Sequence, residues 1–289
     1  MKKKVLLTGA TGFLGSHLLE RLLNDGFDVT ILKRSFSNTK RIDKFLPKIN
    51  AFDIDKISLE QIFQDSQFDI ILHTATNYGR KDGKIADILN SNIVYPFELL
   101  QYAVQTKVKT FINVDTSLPR DFNLYSLSKK QFLDWLMFYN QKIQVINLKT
   151  EYFYGSGDEN NKFVTMVIQH LFTDKDLPLS ECSQLRDFIY IDDLINAFSL
   201  IINKINDFSL FEEFELGSGR AVSLKDIVNL CAKYVPESKA KLLFGKLPLR
   251  ENEVMFSQAD ITRLQSLGWS AVYTLEKGIQ QTIQLEKRK

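Results

Sequence analysis

Apolar positions in the first half of this chain alternate between two spacings. The short apolar run at 5–7 reads as a buried strand, and 29–32, 50–53, 69–73, 110–114 and 143–148 read as five further strands. Between them, apolar residues recur at three- and four-residue intervals. Phe13, Leu14, Leu18, Leu19, Leu22 and Leu23 follow the first run, and similar stretches span 57–63, 85–105 and 126–139. Strand and helix in alternation predict an α/β fold, a Rossmann-like doubly wound parallel sheet with right-handed crossovers. Ligands of such sheets bind beyond the carboxyl ends of the strands, so the residues after each run merit inspection. After about Gly155 the pattern loosens. Strands at 188–191 and 213–216 and helices at 193–202, 224–234 and 275–285 predict a smaller α/β lobe placed over the sheet to bind substrate. The expected division is 1–154 for dinucleotide binding, with later segments crossing back, and 155–289 for substrate.

The junction of the first strand and helix reads Val5-Leu-Leu-Thr-Gly-Ala-Thr-Gly-Phe-Leu-Gly15. Gly9 permits a tight turn, Gly12 lets the backbone approach a ligand, and Gly15 lets the helix pack against the strand. The helix N-terminus then offers free N–H groups and a positive dipole end to a pyrophosphate, with Thr11, Phe13 and Leu14 lining the turn. The spacing is Gly-x-x-Gly-x-x-Gly, where the older dinucleotide fingerprint reads Gly-x-Gly-x-x-Gly.

Composition narrows the function classes. The 289 residues are 25% charged and 44% hydrophobic, ordinary globular material long enough for a sizeable core. A net charge of +2 makes no case for nucleic acid or an anionic membrane. Lys2, Lys3 and Lys4 precede an apolar run that breaks at Thr8-Gly9, too early for a signal peptide, and no apolar stretch suits a membrane span. Cys182 and Cys231 read as free thiols of a reducing cytoplasm. His17, His73 and His170 lack metal-ligand spacing, so no metal is expected.

The chemistry centres on Tyr125-Ser-Leu-Ser-Lys129, which opens a helical segment and puts Tyr125 and Lys129 on one helical face. A free tyrosine, with a pKa near ~10, is a poor acid–base catalyst at neutral pH, and a neighbouring ammonium favours its phenolate. Such a pair exchanges a proton with a carbinol oxygen while a nicotinamide exchanges hydride with its carbon. Thr116, after the fifth strand, is placed to bond the same oxygen, with Ser117 as competitor.

In this order along the chain, these elements resemble the extended short-chain dehydrogenase/reductase family, in its nucleotide-sugar branch. The resemblance runs almost end to end. It implies that Asp53, with Ile54, holds the adenine, and that His73-Thr74-Ala75 lines the pyrophosphate and ribose. Asn92 matches the family's active-site asparagine. Leu148-Lys-Thr-Glu-Tyr-Phe-Tyr-Gly-Ser-Gly157 resembles a family loop in which Tyr152 replaces the usual asparagine. Arg186, in Arg186-Asp-Phe-Ile-Tyr-Ile-Asp-Asp193, and Arg250 match arginines that hold a sugar nucleotide's diphosphate. A forked guanidinium suits that group. The segments 257–261 and 267–269 have the look of the family's C-terminal signature, and the helices at 85–105 and 122–142 imply a homodimer.

Two local features sort the family's reactions. NAD-preferring members carry an acid at the end of strand two to bind the ribose 2′-hydroxyl. Here Lys33, Arg34 and Ser35 suit a 2′-phosphate, so the expected cofactor is NADP(H) in preference to NAD. Dehydratases carry Asp-Glu after the threonine, whereas this chain has Ser117-Leu118, with Asp115 expected on the opposite side of the strand. A finer likeness, through residues 73–79 (with Tyr78 toward the substrate), 113–132 and 250–257, is to the CDP-abequose and CDP-paratose synthase group and related dTDP-4-keto-6-deoxyhexose reductases. It implies reduction of the C4 ketone of a nucleotide-diphosphate sugar for bacterial surface polysaccharide. A nucleotide-sugar 4-epimerase using NAD is the alternative. A redox-sensing module without catalysis is disfavoured, because Tyr125 and Lys129 are both present.

Overall fold

A computed structural model describes residues 2–79 and 84–288. The chain divides into two compact units, residues 1–149 with 198–214, and residues 150–197 with 215–289.

The first unit runs β1 (Lys4–Thr8), α1 (Phe13–Asn24), β2 (Asp28–Lys33), β3 (Asn50–Asp53), α2 (Leu59–Asp65), β4 (Ile70–His73), α3 (Ile85–Leu89), α4 (Tyr95–Gln105), β5 (Thr110–Thr116), α5 (Leu124–Tyr139) and β6 (Gln144–Thr150). The expected Rossmann-like parallel sheet is present. Its seven strands lie in the order β10-β6-β5-β4-β1-β2-β3, where β10 (Phe211–Leu216) returns late in the chain to the edge. The reversal of strand order at β1 opens a crevice at the carboxyl ends of β1 and β4. The runs over β1 and β4 are buried almost throughout because helices cover both faces of such a sheet. Leu6, Ile71, Phe111 and Val145 from successive strands join Leu99, Leu100, Phe132 and Leu136 from α4 and α5 in one core.

Two local features position the site. The periodic stretch 85–105 is not one helix. A π-helical turn at Asn90–Val94 separates α3 from α4 and turns Asn92 inward, leaving it 1% exposed. The start of α5 is fixed by a capping box. Asn123 Oδ1 accepts the Ser126 N–H at 2.8 Å, and Ser126 Oγ accepts the Asn123 N–H at 3.1 Å.

The second unit holds β7 (Tyr152–Tyr154), α6 (Phe163–Phe172), β8 (Leu177–Pro178), β9 (Leu185–Tyr190), the start of α7 (Ile191–Asn203), β11 (Ala221–Ser223), α8 (Leu224–Lys233), β12 (Leu242–Leu243), α9 (Thr262–Ser266) and α10 (Leu275–Glu286). A three-stranded sheet orders β11-β9-β7, with β9 antiparallel to β11 and parallel to β7. The buried Asp187 carboxylate ties it together, accepting N–H bonds from Ser218 (2.7 Å), Gly219 (2.9 Å) and Ala259 (3.2 Å). The strand expected at 188–191 is β9, which ends one residue earlier.

Candidate active site

The glycine turn is tightly built. Gly9 has φ +74°, and a Cβ there would lie 2.5 Å from Thr74 Oγ1 and 2.7 Å from the Ala75 nitrogen. A Cβ on Gly15 would lie 2.1 Å from the Gly9 carbonyl oxygen, so α1 packs against the turn backbone to backbone. Gly12 differs, since a Cβ there would meet only the Gly9 oxygen, at 3.3 Å. Gly12 is also the N-cap of α1 and supplies no side-chain cap. Thr11 lies half-buried within the turn.

The turn is anchored to β4 through Thr8. Its hydroxyl oxygen accepts the N–H groups of Thr74 (3.2 Å) and Ala75 (3.3 Å), while Thr74 Oγ1 donates to the Thr8 carbonyl at 2.8 Å. With both lone pairs taken, the Thr8 hydroxyl donates to His73 Nδ1 at 2.9 Å, which assigns the ring proton to Nε2. Burial, aided by the Lys129 charge, pushes the His73 pKa well below its ordinary value, so the ring is neutral. His73 thus supports the turn from behind, and its Nε2 has no partner among the described residues.

At the end of β2 the register pairs Lys33 with Asp53 across β2 and β3. The side chains follow the register, and the Lys33 ammonium forms an ion pair with Asp53 Oδ1. Sequence reading gave these residues to separate parts of the cofactor, and the structure makes them partners. Asp55, which the sequence reading passed over, accepts both the N–H (2.7 Å) and the hydroxyl (2.6 Å) of Ser35, and these bonds hold its carboxyl below the usual range. Arg34, next after β2, is exposed. Its guanidinium stands 5.1 Å from the Phe36 ring centroid, with no ion pair among the described residues. Ile54 is partly buried against the core, and its N–H bonds the Lys33 carbonyl at 2.9 Å.

Thr116, Tyr125 and Lys129 lie at the end of β5 and in the first turns of α5. Thr116 is 6% exposed, and its Oγ1 accepts the Leu118 N–H at 3.3 Å, leaving the hydroxyl proton to donate elsewhere. Lys129 is 2% exposed, and its ammonium has no hydrogen bond or ion pair among the described residues. Burial pushes its pKa down to about 8, against the pull of Asp115 and with the push of Lys130. A buried ammonium without a partner is costly unless a ligand completes it. The Tyr125 ring lies 4.9 Å from that of Tyr78. Asn92 holds the Tyr78 loop, accepting the Asn77 N–H at 2.7 Å and donating to the Asn77 carbonyl and to Ser128 Oγ, each at 2.9 Å. Its amide is consumed by the protein, so it acts here as a brace between loop and helix. Ser117 is half-buried beyond the strand end.

Together the open face of Gly12 at the start of α1 and the Lys129 ammonium, which has no partner among the described residues, fit a dinucleotide. They supply a close backbone approach for a pyrophosphate and a cation for ribose hydroxyls. Among the described residues no His, Cys, Asp and Glu group is arranged to hold a metal ion, and no helix is long and apolar enough to cross a membrane.

In the second unit Arg186 is 2% exposed, and its fork is occupied. Nε donates to the Tyr152 hydroxyl (3.3 Å), Nη1 to the Leu185 carbonyl (2.9 Å), and Nη2 to Glu253 (2.8 Å) and the Val254 carbonyl. Burial raises the Tyr152 pKa, and Arg186 opposes the rise. Arg250, three residues before Glu253, is exposed, and its guanidinium has no ion pair among the described residues. The two arginines are therefore unlike, one locked and one available. The motif around Arg186 gave no sign of this, because Glu253 lies 67 residues away.

The NAD dependent epimerase/dehydratase family matches residues 5–217. The chain is 33% identical to CDP-abequose synthase of Salmonella typhimurium, with 98% of each chain covered, and 30% identical to that of Salmonella muenchen, with 99% of each covered. The UDP-glucose 4-epimerase of Thermotoga maritima, solved with UDP-glucose, has the same fold, with a TM-score of 0.86 at 20% identity over 99% of both chains.

Proposed function

The chain belongs to the NAD dependent epimerase/dehydratase family, and from that premise we propose that it reduces the C4 ketone of a nucleotide-linked 4-keto-6-deoxyhexose. The sugar is carried on CDP or dTDP, the reductant is NADPH, and the product serves bacterial surface polysaccharide. The observation that carries this reading is the full-length likeness to two CDP-abequose synthases. Thr116, Tyr125 and Lys129 supply the chemistry it needs.

When bound, the nicotinamide supplies hydride to the carbonyl carbon. Tyr125 gives its phenolic proton to the carbonyl oxygen as charge develops there, and the Thr116 hydroxyl donates to the same oxygen. The Lys129 ammonium stabilises the phenolate left behind and bonds the ribose hydroxyls. Gly12 and the first N–H groups of α1 hold the pyrophosphate, and Arg34 takes the 2′-phosphate. Tyr78 packs beside Tyr125 and meets the sugar. Arg250 takes the substrate's diphosphate first, and Arg186 joins it only by releasing Glu253. With both cysteines free, the reading places the enzyme in the cytoplasm. It acts as a homodimer through α5, whose Trp135 and Phe138 are exposed.

The test is NADPH oxidation, followed in the near ultraviolet, with CDP- and dTDP-4-keto-6-deoxyglucose generated in situ and NADH in parallel. Consumption with one of them supports the reading and names the nucleotide, and none with either sinks it. The Lys33–Asp53 pair leaves Arg34 alone for a 2′-phosphate, which favours a second reading, an NAD-dependent nucleotide-sugar 4-epimerase. That reading requires purified protein to retain NAD and to turn over UDP-sugars without added cofactor.

A further inference from the structure

Lys130 follows Lys129 on α5 and points about 100° away from it around the helix. Its Nζ donates to Asp115 Oδ2 at 2.7 Å and to the Thr116 carbonyl at 2.7 Å. The other oxygen of the same carboxylate, Asp115 Oδ1, accepts the Thr116 N–H at 2.7 Å. Both backbone polar groups of Thr116 are therefore held by one ion pair.

The pair is buried and braced. The Asp115 side chain is 0% exposed and that of Lys130 15%. Behind it, Asn147 on β6 donates to Asp115 Oδ2 (3.2 Å) and to Glu213 on β10 (2.8 Å), and it accepts from Asn113 Nδ2 (2.8 Å). Burying an ion pair gains little stability over an apolar pair of the same size, so stability alone explains it poorly. The strand register gives it a task. Pairing of β5 with β4 ends at His73↔Asn113, three residues short of Thr116. Beyond that point β6 is the remaining strand neighbour of β5, and no β4 pairing reaches Thr116.

Resting on the reading in the preceding section, we propose that Lys130 and Asp115 are positioning residues, which clamp the backbone of Thr116 so that its hydroxyl meets the substrate oxygen beside Tyr125. Asp115 and Lys130 act on the Lys129 ammonium in opposite directions. Neutralising both together therefore tests the clamp while removing two opposed influences on Lys129.

The variants are Lys130→Met, Lys130→Arg and the double variant Lys130→Met/Asp115→Leu. Turnover and KM are measured for NADPH with the 4-keto sugar nucleotide, alongside NADPH Kd, Tm and hydrogen exchange of the peptide containing Thr116. Lys130→Met lowers kcat roughly 10- to 100-fold with KM within about threefold, the loss expected of a misplaced catalytic group. Lys130→Arg, which can donate to both acceptors, recovers most of kcat. The double variant removes the stranded carboxylate and regains Tm, yet its kcat stays at least about tenfold low and its Thr116 amide exchanges faster than in wild type. A double variant with wild-type kcat, a loss confined to KM, or unchanged exchange at Thr116 overturns the clamp. Exchange is read without substrate, so it decides the clamp even if wild-type protein fails to reduce the keto sugar. That failure would count against the proposed reaction alone.

Discussion

Replacing Gly15 by alanine and Gly12 by alanine should separate stability from cofactor binding, although the two glycines lie three residues apart in one turn. At Gly15 the new Cβ would stand 2.1 Å from the Gly9 oxygen, 2.6 Å from the Gly9 carbonyl carbon and 2.9 Å from the Ala10 Cα. Ordinary contact begins near 3.4 Å, so α1 and the turn must part by about 1.3 Å (3.4 − 2.1), and every atom in the way is backbone. Overpacking of this kind costs about 1–3 kcal/mol, and a clash with nothing flexible to yield belongs at the upper end. At ~2–4 °C per kcal/mol, Gly15→Ala should lower Tm by roughly 6–12 °C. At Gly12 the only close atom is 3.3 Å away, and its φ of −78° suits alanine. Tm of Gly12→Ala should stay within about 3 °C, since an N-cap change of this type costs well under ~1 kcal/mol. Its methyl, however, occupies the space proposed for the pyrophosphate, so NADPH Kd should rise tenfold or more, about 1.4 kcal/mol. Thermal scans and fluorescence titration with NADPH read the two quantities. Wild-type NADPH affinity in Gly12→Ala, or an unchanged Tm in Gly15→Ala, would refute the reasoning.

Three further outcomes follow from the site. Tyr125→Phe should lower turnover ~10²–10⁴-fold while NADPH Kd stays near wild type, as expected when a general acid is removed and binding is not; near-full turnover would remove Tyr125 from the mechanism. The Lys129 pKa lies at about 8, lowered by burial, so the required positive charge is present below that pH and lost above it. The pH profile of kcat/KM should therefore fall through about pH 8, and a plateau to pH 10 would show the ammonium to be dispensable. Arg34→Ala should weaken NADPH at least about tenfold and leave NADH unchanged, because Lys33 is paired with Asp53 while Arg34 has no ion pair among the described residues; equal losses for both cofactors would show that it reads something other than the 2′-phosphate.

The centre of the sheet was legible because β1 and β4 are nearly continuous apolar runs, and two-sided burial writes a strand into the sequence plainly. The glycine turn was legible for a different reason, since Gly9 and Gly15 stand where a side chain has no room. Pairings between distant residues were not legible. The ion pair of Lys33 with Asp53 follows from the β2–β3 register, which no local pattern states. The lock on Arg186 comes from Glu253, and the inward turn of Asn92 from a π-helical turn that leaves the apolar spacing of 85–105 almost unchanged. The Lys129-Lys130 doublet was visible throughout. The partner of its second lysine follows only from the placement of β5 beside α5.

The return of the chain to the sheet edge bears on how this enzyme can be cut, permuted or recombined. Residues 198–214 belong to the first unit, so neither unit is one uninterrupted stretch of polypeptide. A fragment ending near residue 150 would hold the glycine turn and Thr116, Tyr125 and Lys129, yet lack β10. Its β6, apolar and buried in the intact sheet, would then become an open edge with unpaired N–H and C=O groups, a template for aggregation. The first unit is therefore not a detachable cassette. Exchange of the second unit between relatives must replace two segments, 150–197 and 215–289, with all three crossings of the chain preserved.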